Sequence, residues 1–452
     1  MGKEQMPVFW QCGQFIFDTR MPVVMGILNI TPDSFSEGGA YLTHEGTVRV
    51  EEALAQAKAM VAAGAKIIDV GGESTRPGAT PVTPEEETRR VVEVVRALAG
   101  AGMCVSIDTR HAEVAAAALE AGAAIVNDIT GFEDPAMVRV VTEPGCTAGL
   151  IVMHCGDGAG AALPEDADPV TVVCDFLRAR TASLEAAGVA HGRICVDPGP
   201  GFGKDNSQTM MLVRNFQEVR HLGYPVCCAV SRKRYIGEAY GIPEAKDRDE
   251  ASATEALMAA ELGCGILRVH NVPATMEALK QLRPYCVVAL GCNVALVGGD
   301  TPQELTEAKE AQLNLAIGDL CVLPDTTLID VAPFFGSEPA YYEDQDAFVK
   351  TVALLRTGIA PHELLEYLHA IENKLGRVRS IENGPRTCDI DILDYQTYLS
   401  DDEVLTLPHP RIIERDFVVK PFEAILPGHV LADGKRVAAM PEAERCGRAW
   451  RL

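Results

Sequence analysis

The chain lacks any apolar run approaching the ~18 residues of a membrane span, and its opening, MGKEQMPVFWQCGQF, has no apolar stretch long enough for a secretory signal. Both absences point to a soluble, cytoplasmic protein. Positive charge is also scarce: 40 Lys and Arg stand against 64 Asp and Glu, a net charge of -24. Nucleic acids and anionic membrane surfaces are recognised by excess Lys and Arg, so neither is expected as a partner. A small anionic substrate is not excluded, because a local cluster of cations can oppose the global sign. The 14 cysteines include no CxxC pair, and Cys104, Cys195, Cys227, Cys228 and Cys264 fall inside apolar runs, as small core residues do in a reducing compartment. In DPGPGFGK, Lys204 is followed by Asp205 where a phosphate-cradling P-loop requires Ser or Thr, which removes that reading.

What is present is a repeated pattern. Eight short apolar runs each end in a polar side chain: VVMGIL in Asn29, KII in Asp69, VSI in Asp108, AIV in Asn127, GLIVM in His154, ICV in Asp197, VCCAV in Ser231 and Lys233, and IL in Arg268 and His270. Helix-like stretches such as EEALAQAKAMVAAG separate them. Eight strand–helix units predict an α/β fold, the (β/α)8 TIM barrel, with the polar ends gathered at one mouth. After the helix predicted at 273–282 the pattern changes to strand, helix, two strands, helix PHELLEYLHAIENKL and strand TCDIDILDY. That order predicts a smaller α+β ferredoxin-like domain. No Gly/Ser linker intervenes, and the boundary is placed near 284, giving domains 1–284 and 285–452.

The first two loops of the barrel, NITPDSFSEGG and DVGGESTRPG, are too rich in Gly, Pro, Ser and Thr to be core. Asn29 and Glu37 can serve a hard cation, and Thr75 and Arg76 phosphate oxygens, although an Arg in a turn is more often simply solvated. DPGPGFGK reads as a Gly-rich turn that aims Asp197 into the mouth and sets Phe202 over a flat ligand. SRKRYIG is expected to bring two or three cations close to that carboxylate, and Arg268 and His270, two apart on a strand, share a face. Ionised carboxylates accept only, which suits a flat heterocycle with N–H donors; the cations suit a departing phosphate or diphosphate. No Cys/His or Ser/His pair is expected at the mouth, so no side-chain nucleophile is needed.

NITPDSFSEGG, DVGGESTRPG, VSIDT, VND, MH, DPGPGFGK, SRK and RVH, in this order, resemble dihydropteroate synthase over residues 23 to about 283. The resemblance implies that Asp108, Asn127, Asp197 and Lys233 hold a pterin, with Met153 and Arg268 against its faces and Asp69 among the substrate-binding groups. It implies that Asn29, Thr75, Arg76, Arg268 and His270 bind the diphosphate, with Mg2+ near Asn29. It also implies a p-aminobenzoate pocket shaped by Phe35, Pro77, Phe202, Ser231, Lys233 and Arg234, and a homodimer through helices after the sixth to eighth strands. Glu37 and Asn271 stand where that family usually has Asp. A pterin-binding methyltransferase barrel is the rival enzyme, but it would not need STRPG or the SRK and RVH cations.

In the second part, Asp389 and Asp391 lie two apart on a strand, so both face one side and can share Mg2+ with a nucleotide. GCN, GRVR, GPRTCDIDI, LPHP and ERDF resemble 6-hydroxymethyl-7,8-dihydropterin pyrophosphokinase over roughly 285–436. The resemblance implies Mg2+ on Asp389 and Asp391, ATP contacts by Glu372, Arg377, Arg379, Arg386, His409 and Arg415, and pterin stacking on Phe417. Cys292 replaces a usual Ser, Lys350 replaces an Asn that meets the pterin, and SIENGPRT is one residue short. These departures keep open a second domain that is a noncatalytic scaffold beside a monofunctional synthase.

Overall fold

The computed structural model describes residues 9–19, 21–31, 48–73, 81–156, 163–340, 345–377, 385–396, 398–426 and 428–452. The chain divides between Leu282 and Arg283 into two compact units. The first is the barrel. A hairpin, β1 (Phe9–Cys12) and β2 (Phe15–Asp18), precedes eight parallel strands: β3 (Val23–Asn29), β4 (Ile67–Gly71), β5 (Cys104–Asp108), β6 (Ile125–Asp128), β7 (Gly149–Met153), β8 (Ile194–Asp197), β9 (Cys227–Cys228) and β10 (Ile266–Val269). They pair in the order β8-β7-β6-β5-β4-β3-β10-β9, and a parallel bridge from Val196 to Val226 closes the ring. Strands buried on both faces are continuous apolar runs because one face meets the helices and the other the barrel interior. Leu28, Ile68, Val70, Val105 and Val126 belong to the outward core, whereas Met25, Ile67, Cys104, Ile125 and Cys195 point inward.

The hairpin was not expected. Trp10 and Cys12 are fully buried among the inward residues at the N-terminal ends of the strands, and Trp10 Nε1 donates to the Arg193 carbonyl at 2.9 Å. It plugs the barrel at the end opposite the polar mouth. The helices carry their sequence signals: Pro84–Gly100 starts with Thr83 as cap and proline at its first position, and Asn206–Arg214 has a capping box of Asp205 and Gln208. The helix expected at 273–282 spans Val272–Ala278 and tightens into a 3-10 turn over Leu279–Gln281.

In the second unit, β11 (Tyr285–Cys292) lies between β15 (Asp389–Tyr395) and β14 (Phe348–Thr357), all antiparallel. The first of the two strands expected between the helices is itself two, β12 (Thr326–Val331) and β13 (Phe335–Ser337), each paired with a different part of β14. Helices Pro302–Cys321 and Pro361–Lys374 cover one face of the sheet, completing the expected βαββαβ order. An addition follows: β16 (Ser400–Asp401), β17 (Thr406–Leu407), a helix Asp416–Ile425 on the other face, and β18 (Ala449–Arg451) against β13.

Replacing Trp10 by Ala removes the largest group of the plug together with its hydrogen bond. We expect a loss of about 3–5 kcal/mol in barrel stability, read from denaturant midpoints.

Candidate functional site

At the barrel mouth, one guanidinium organises two carboxylates. Arg268 on β10 donates through Nε to Asp69 Oδ2 and through Nη2 to Asp108 Oδ2, both at 2.6 Å. Asn127 Nδ2 adds a longer bond of 3.4 Å to the same Asp69 oxygen. The second oxygen of each aspartate, Oδ1, is buried and has no partner among the described residues. Burial pushes the Asp108 carboxyl up to about 7, with Arg268 pulling it down and Asp69 pushing it up. Burial also raises Asp197, while its Oδ1 accepts the Gly199 N–H at 2.7 Å.

The Gly-rich turn is a built device. Gly199 and Gly203 adopt positive φ, and a Cβ on Gly199 would run into the His154 carbonyl. Beneath the turn, buried Lys204 Nζ reaches Phe202 O at 2.8 Å, His154 Nδ1 at 2.9 Å and Gly199 O at 3.1 Å. The rejected P-loop lysine is therefore a strut. His154, which ends the fifth apolar run, faces that strut, and its ring is held neutral, down at about 4, by burial and the Lys204 charge. Phe202 turns outward beneath Lys233, whose Nζ lies 3.9 Å from the ring centroid. Burial, with Arg268 nearby, lowers the Lys233 ammonium to about 8.

Two expectations need correction. Of the SRK cations only Lys233 faces Asp197: Arg232 forks onto Asp249 at 2.6 and 3.0 Å, and exposed Arg234 points to Asn206. The local reason is a buried Arg248 that donates to the carbonyls of Arg232, Lys233 and Ile242, folding the loop over itself. Nor is the mouth free of a Ser/His pair, since Ser231 Oγ lies 3.0 Å from His270 Nδ1 and also accepts the His270 N–H at 3.2 Å. A hydroxyl bound to both groups of one residue braces that residue. Asn271 finds its reason here too: its side chain caps helix Val272–Ala278 and its amide donates to Asp249 at 2.9 Å, where a carboxylate would meet another carboxylate. Glu73 accepts from Val82 N–H and Arg110, tying the base of the second loop to the strand that follows. Phe35, Glu37, Thr75, Arg76, Pro77 and Arg379 lie outside the described residues. Asn29 ends β3 next to Gly71, and Met153 ends β7 in register with Asp197.

The second unit holds a cleft of about 210 Å3, lined among others by Phe348, Lys350, Arg386, Asp389, Asp391 and Phe417. Asp389 pairs with Arg377 at 2.7 Å and Arg386 at 2.5 Å. Burial would raise its carboxyl, but Lys350, Arg386 and Arg377 together hold it below the ordinary range. Asp391, on the same face, is raised by burial and by Asp389, and makes no hydrogen bond or ion pair among the described residues. Glu372 is buried, pairs with Arg377 and accepts the Ile390 N–H at 2.7 Å, so it sets the strand carrying the aspartates. His409 sits beside Arg411 and Arg415 and is lowered to about 4 by burial and by Arg415. Arg415 lies over Phe417, 5.7 Å from its centroid. Asn293 accepts from Arg386 N–H at 2.8 Å, a brace signalled by GCN, and Cys292 is a buried core thiol.

Each unit matches a known family. Residues 25–270 match the family described as pterin binding enzyme, and residues 287–427 match 7,8-dihydro-6-hydroxymethylpterin-pyrophosphokinase. Dihydropteroate synthase of Neisseria meningitidis serogroup C is 41% identical over 290 residues, spanning 63% of this chain and 98% of that protein. The Streptococcus pyogenes serotype M6 dihydropteroate synthase is 43% identical over 274 residues, 60% of this chain and 97% of its own. The Burkholderia cenocepacia synthase structure, complexed with 7,8-dihydropteroate, aligns with TM-score 0.54 at 41% identity over 61% of this chain and 95% of that one. A Xanthomonas albilineans synthase with 4-aminobenzoic acid gives TM-score 0.55 at 39% identity, covering 61% and 96%. The chain belongs to the pterin binding enzymes, as a dihydropteroate synthase barrel fused to a pyrophosphokinase domain. It is a transferase of folate biosynthesis.

A folded-state value near 7 for Asp108 lies above the roughly 4 of an unfolded aspartate. Between those values the folded state keeps a proton the unfolded chain has released, so this group's contribution falls as pH rises from about 4 to about 7. The stability of the wild type relative to Asp108→Asn should therefore decline across that window in urea titrations. A constant difference would mean that Arg268 keeps the carboxylate ionised throughout.

Proposed function

We propose that the two units act in sequence: the second transfers diphosphate from ATP to 6-hydroxymethyl-7,8-dihydropterin, and the barrel condenses that product with p-aminobenzoate to give 7,8-dihydropteroate. The observation that carries the barrel assignment is the pair of buried carboxylate oxygens on Asp69 and Asp108 that have no partner among the described residues. An acceptor-only oxygen sealed from water costs about 1–3 kcal/mol until it meets a donor. The amino and ring N–H groups of a pterin are such donors, and the relatives' solved complexes contain pterin and aminobenzoate ligands.

In this reading Asp108, Asn127 and Asp197 hold the pterin edge, Met153 and Arg268 its faces, and Lys233 its carbonyl side. Arg268, His270, Asn29, Thr75 and Arg76 take the diphosphate, and Phe35, Pro77, Phe202, Ser231 and Arg234 bound the aminobenzoate pocket. Positive charge developing on the exocyclic carbon is stabilised by the electron-rich ring as the carbon–oxygen bond breaks. The arylamine nitrogen then bonds to that carbon and loses a proton. Ser231, committed to bracing His270, performs no covalent step.

In the pyrophosphokinase, Asp389 and Asp391 present hard oxygens on one face, and the Asp391 carboxylate, without a partner among the described residues, fits a divalent cation. Mg2+ bound there would neutralise phosphate charge. Asp389 already carries two guanidinium partners, so the cation would share it with Arg377 and Arg386. Glu372, Arg379, His409 and Arg415 complete the ATP contacts, and Phe417 stacks on the pterin. All 14 cysteines are free thiols, which supports a cytoplasmic setting. Exposed Met210, Met211 and Tyr240, on the helices after β8 and β9, support a homodimer through the barrel.

Paired assays test the assignment. Wild type should form dihydropteroate both from pterin alcohol with ATP, Mg2+ and p-aminobenzoate, and from preformed pterin diphosphate without ATP. Asp389→Ala should silence the first route by at least ~100-fold and leave the second within about twofold. Product from preformed diphosphate alone would reduce the second unit to a scaffold; product in neither tube would overturn the barrel assignment.

A further inference from the structure

The aromatic slot of the second unit is held by a cation of its own. Phe348 opens β14, and Phe417 lies in the first turn of helix Asp416–Ile425, its ring packed against Gly447. Lys350 Nζ lies over both rings, 4.6 Å from the Phe348 centroid and 5.1 Å from that of Phe417. Its stem crosses β11 at Gly291, the residue in register with it, where any side chain would collide with the stem. Burial lowers the Lys350 ammonium below the ordinary lysine range; Arg386 and Arg415 add to this, while Asp389 and Asp391 oppose it. Among the described residues it makes no hydrogen bond or ion pair, so ring faces and the field of neighbouring charges hold it there.

A planar acceptor stacking on Phe417 needs the space above that ring face. An ammonium over two rings is attracted by both quadrupoles, and a ring that enters must displace it. Once displaced, the amine offers donors only, whereas an amide at the same point offers a donor and an acceptor. Resting on the reading of this unit as a pyrophosphokinase, we propose that Lys350 is a specificity-determining residue that occupies the acceptor slot and weakens its hold on the pterin alcohol. Asp389, Asp391, Arg386 and Arg415, assigned above to Mg2+ and ATP, line the same cleft, so KM for ATP is read beside KM for the pterin.

AMP release by the full chain, without p-aminobenzoate, isolates this unit from the barrel. With 6-hydroxymethyl-7,8-dihydropterin varied at saturating ATP and Mg2+, Lys350→Asn should lower KM for the pterin at least ~5-fold and leave KM for ATP within about twofold. A pterin KM that is unchanged or raised in Lys350→Asn would overturn the proposal. Loss of AMP release in both Lys350→Asn and Lys350→Met, with wild type active, would also overturn it, since the ammonium would then be required rather than obstructive. Failure of the wild type itself to release AMP would instead remove the pyrophosphokinase reading, and this inference with it.

Discussion

Arg268 on β10 joins the aspartates of β4 and β5 inside the barrel mouth, and the rest of the mouth is arranged around that triad. Taking three charges out of water is costly, and one guanidinium can repay it only with good geometry. Here it does so incompletely: each aspartate keeps one oxygen bonded to Arg268 and one buried without a partner among the described residues. In the proposed reading, a pterin supplies the donors that the protein leaves out. A site satisfied entirely by its own groups would be more stable when empty and would have less to offer a ring with several N–H donors.

The supports of that triad are mostly residues that never reach the substrate. Lys204 ties two carbonyls of the Gly-rich turn to His154, Arg248 gathers the carbonyls of the SRK loop, and Asn271 joins a helix cap to Asp249. Each replaces water as the partner of a buried polar group. Loops of this irregularity cannot be buried otherwise, because their backbone groups have no ladder to pair with. The second unit uses the same economy of charge: Asp389, between two guanidinium groups, stays ionised within a cleft that would otherwise favour its neutral form.

How much of this was legible in the amino-acid order differs by kind of residue. The polar ends of the eight apolar runs were readable because strand direction and alternation fix where a terminal side chain points. Asp389 and Asp391 were readable for the same reason. The hairpin of Trp10 and Cys12 was not, since two short strands before a barrel carry no periodic signal of their partner. Arg232 and Arg234 were misread because a run of basic residues does not say which one turns inward; Arg248 and Asp249, some 16 residues on, decide it. The bond between Ser231 and His270 escaped notice because its members sit 39 residues apart, on neighbouring strand ends.

The sequence by itself determined the two folds, the family and the gathering of polar side chains at strand ends, because these depend on local pattern: apolar strand runs, capped helices, and polar residues where strands stop. Only the tertiary structure decided which charges pair, which lysine is a strut and which lies over an aromatic ring, and which carboxylate oxygens remain open to a ligand. Those outcomes depend on distances between residues far apart in the chain and on the loss of water around them. Neither is encoded in spacing.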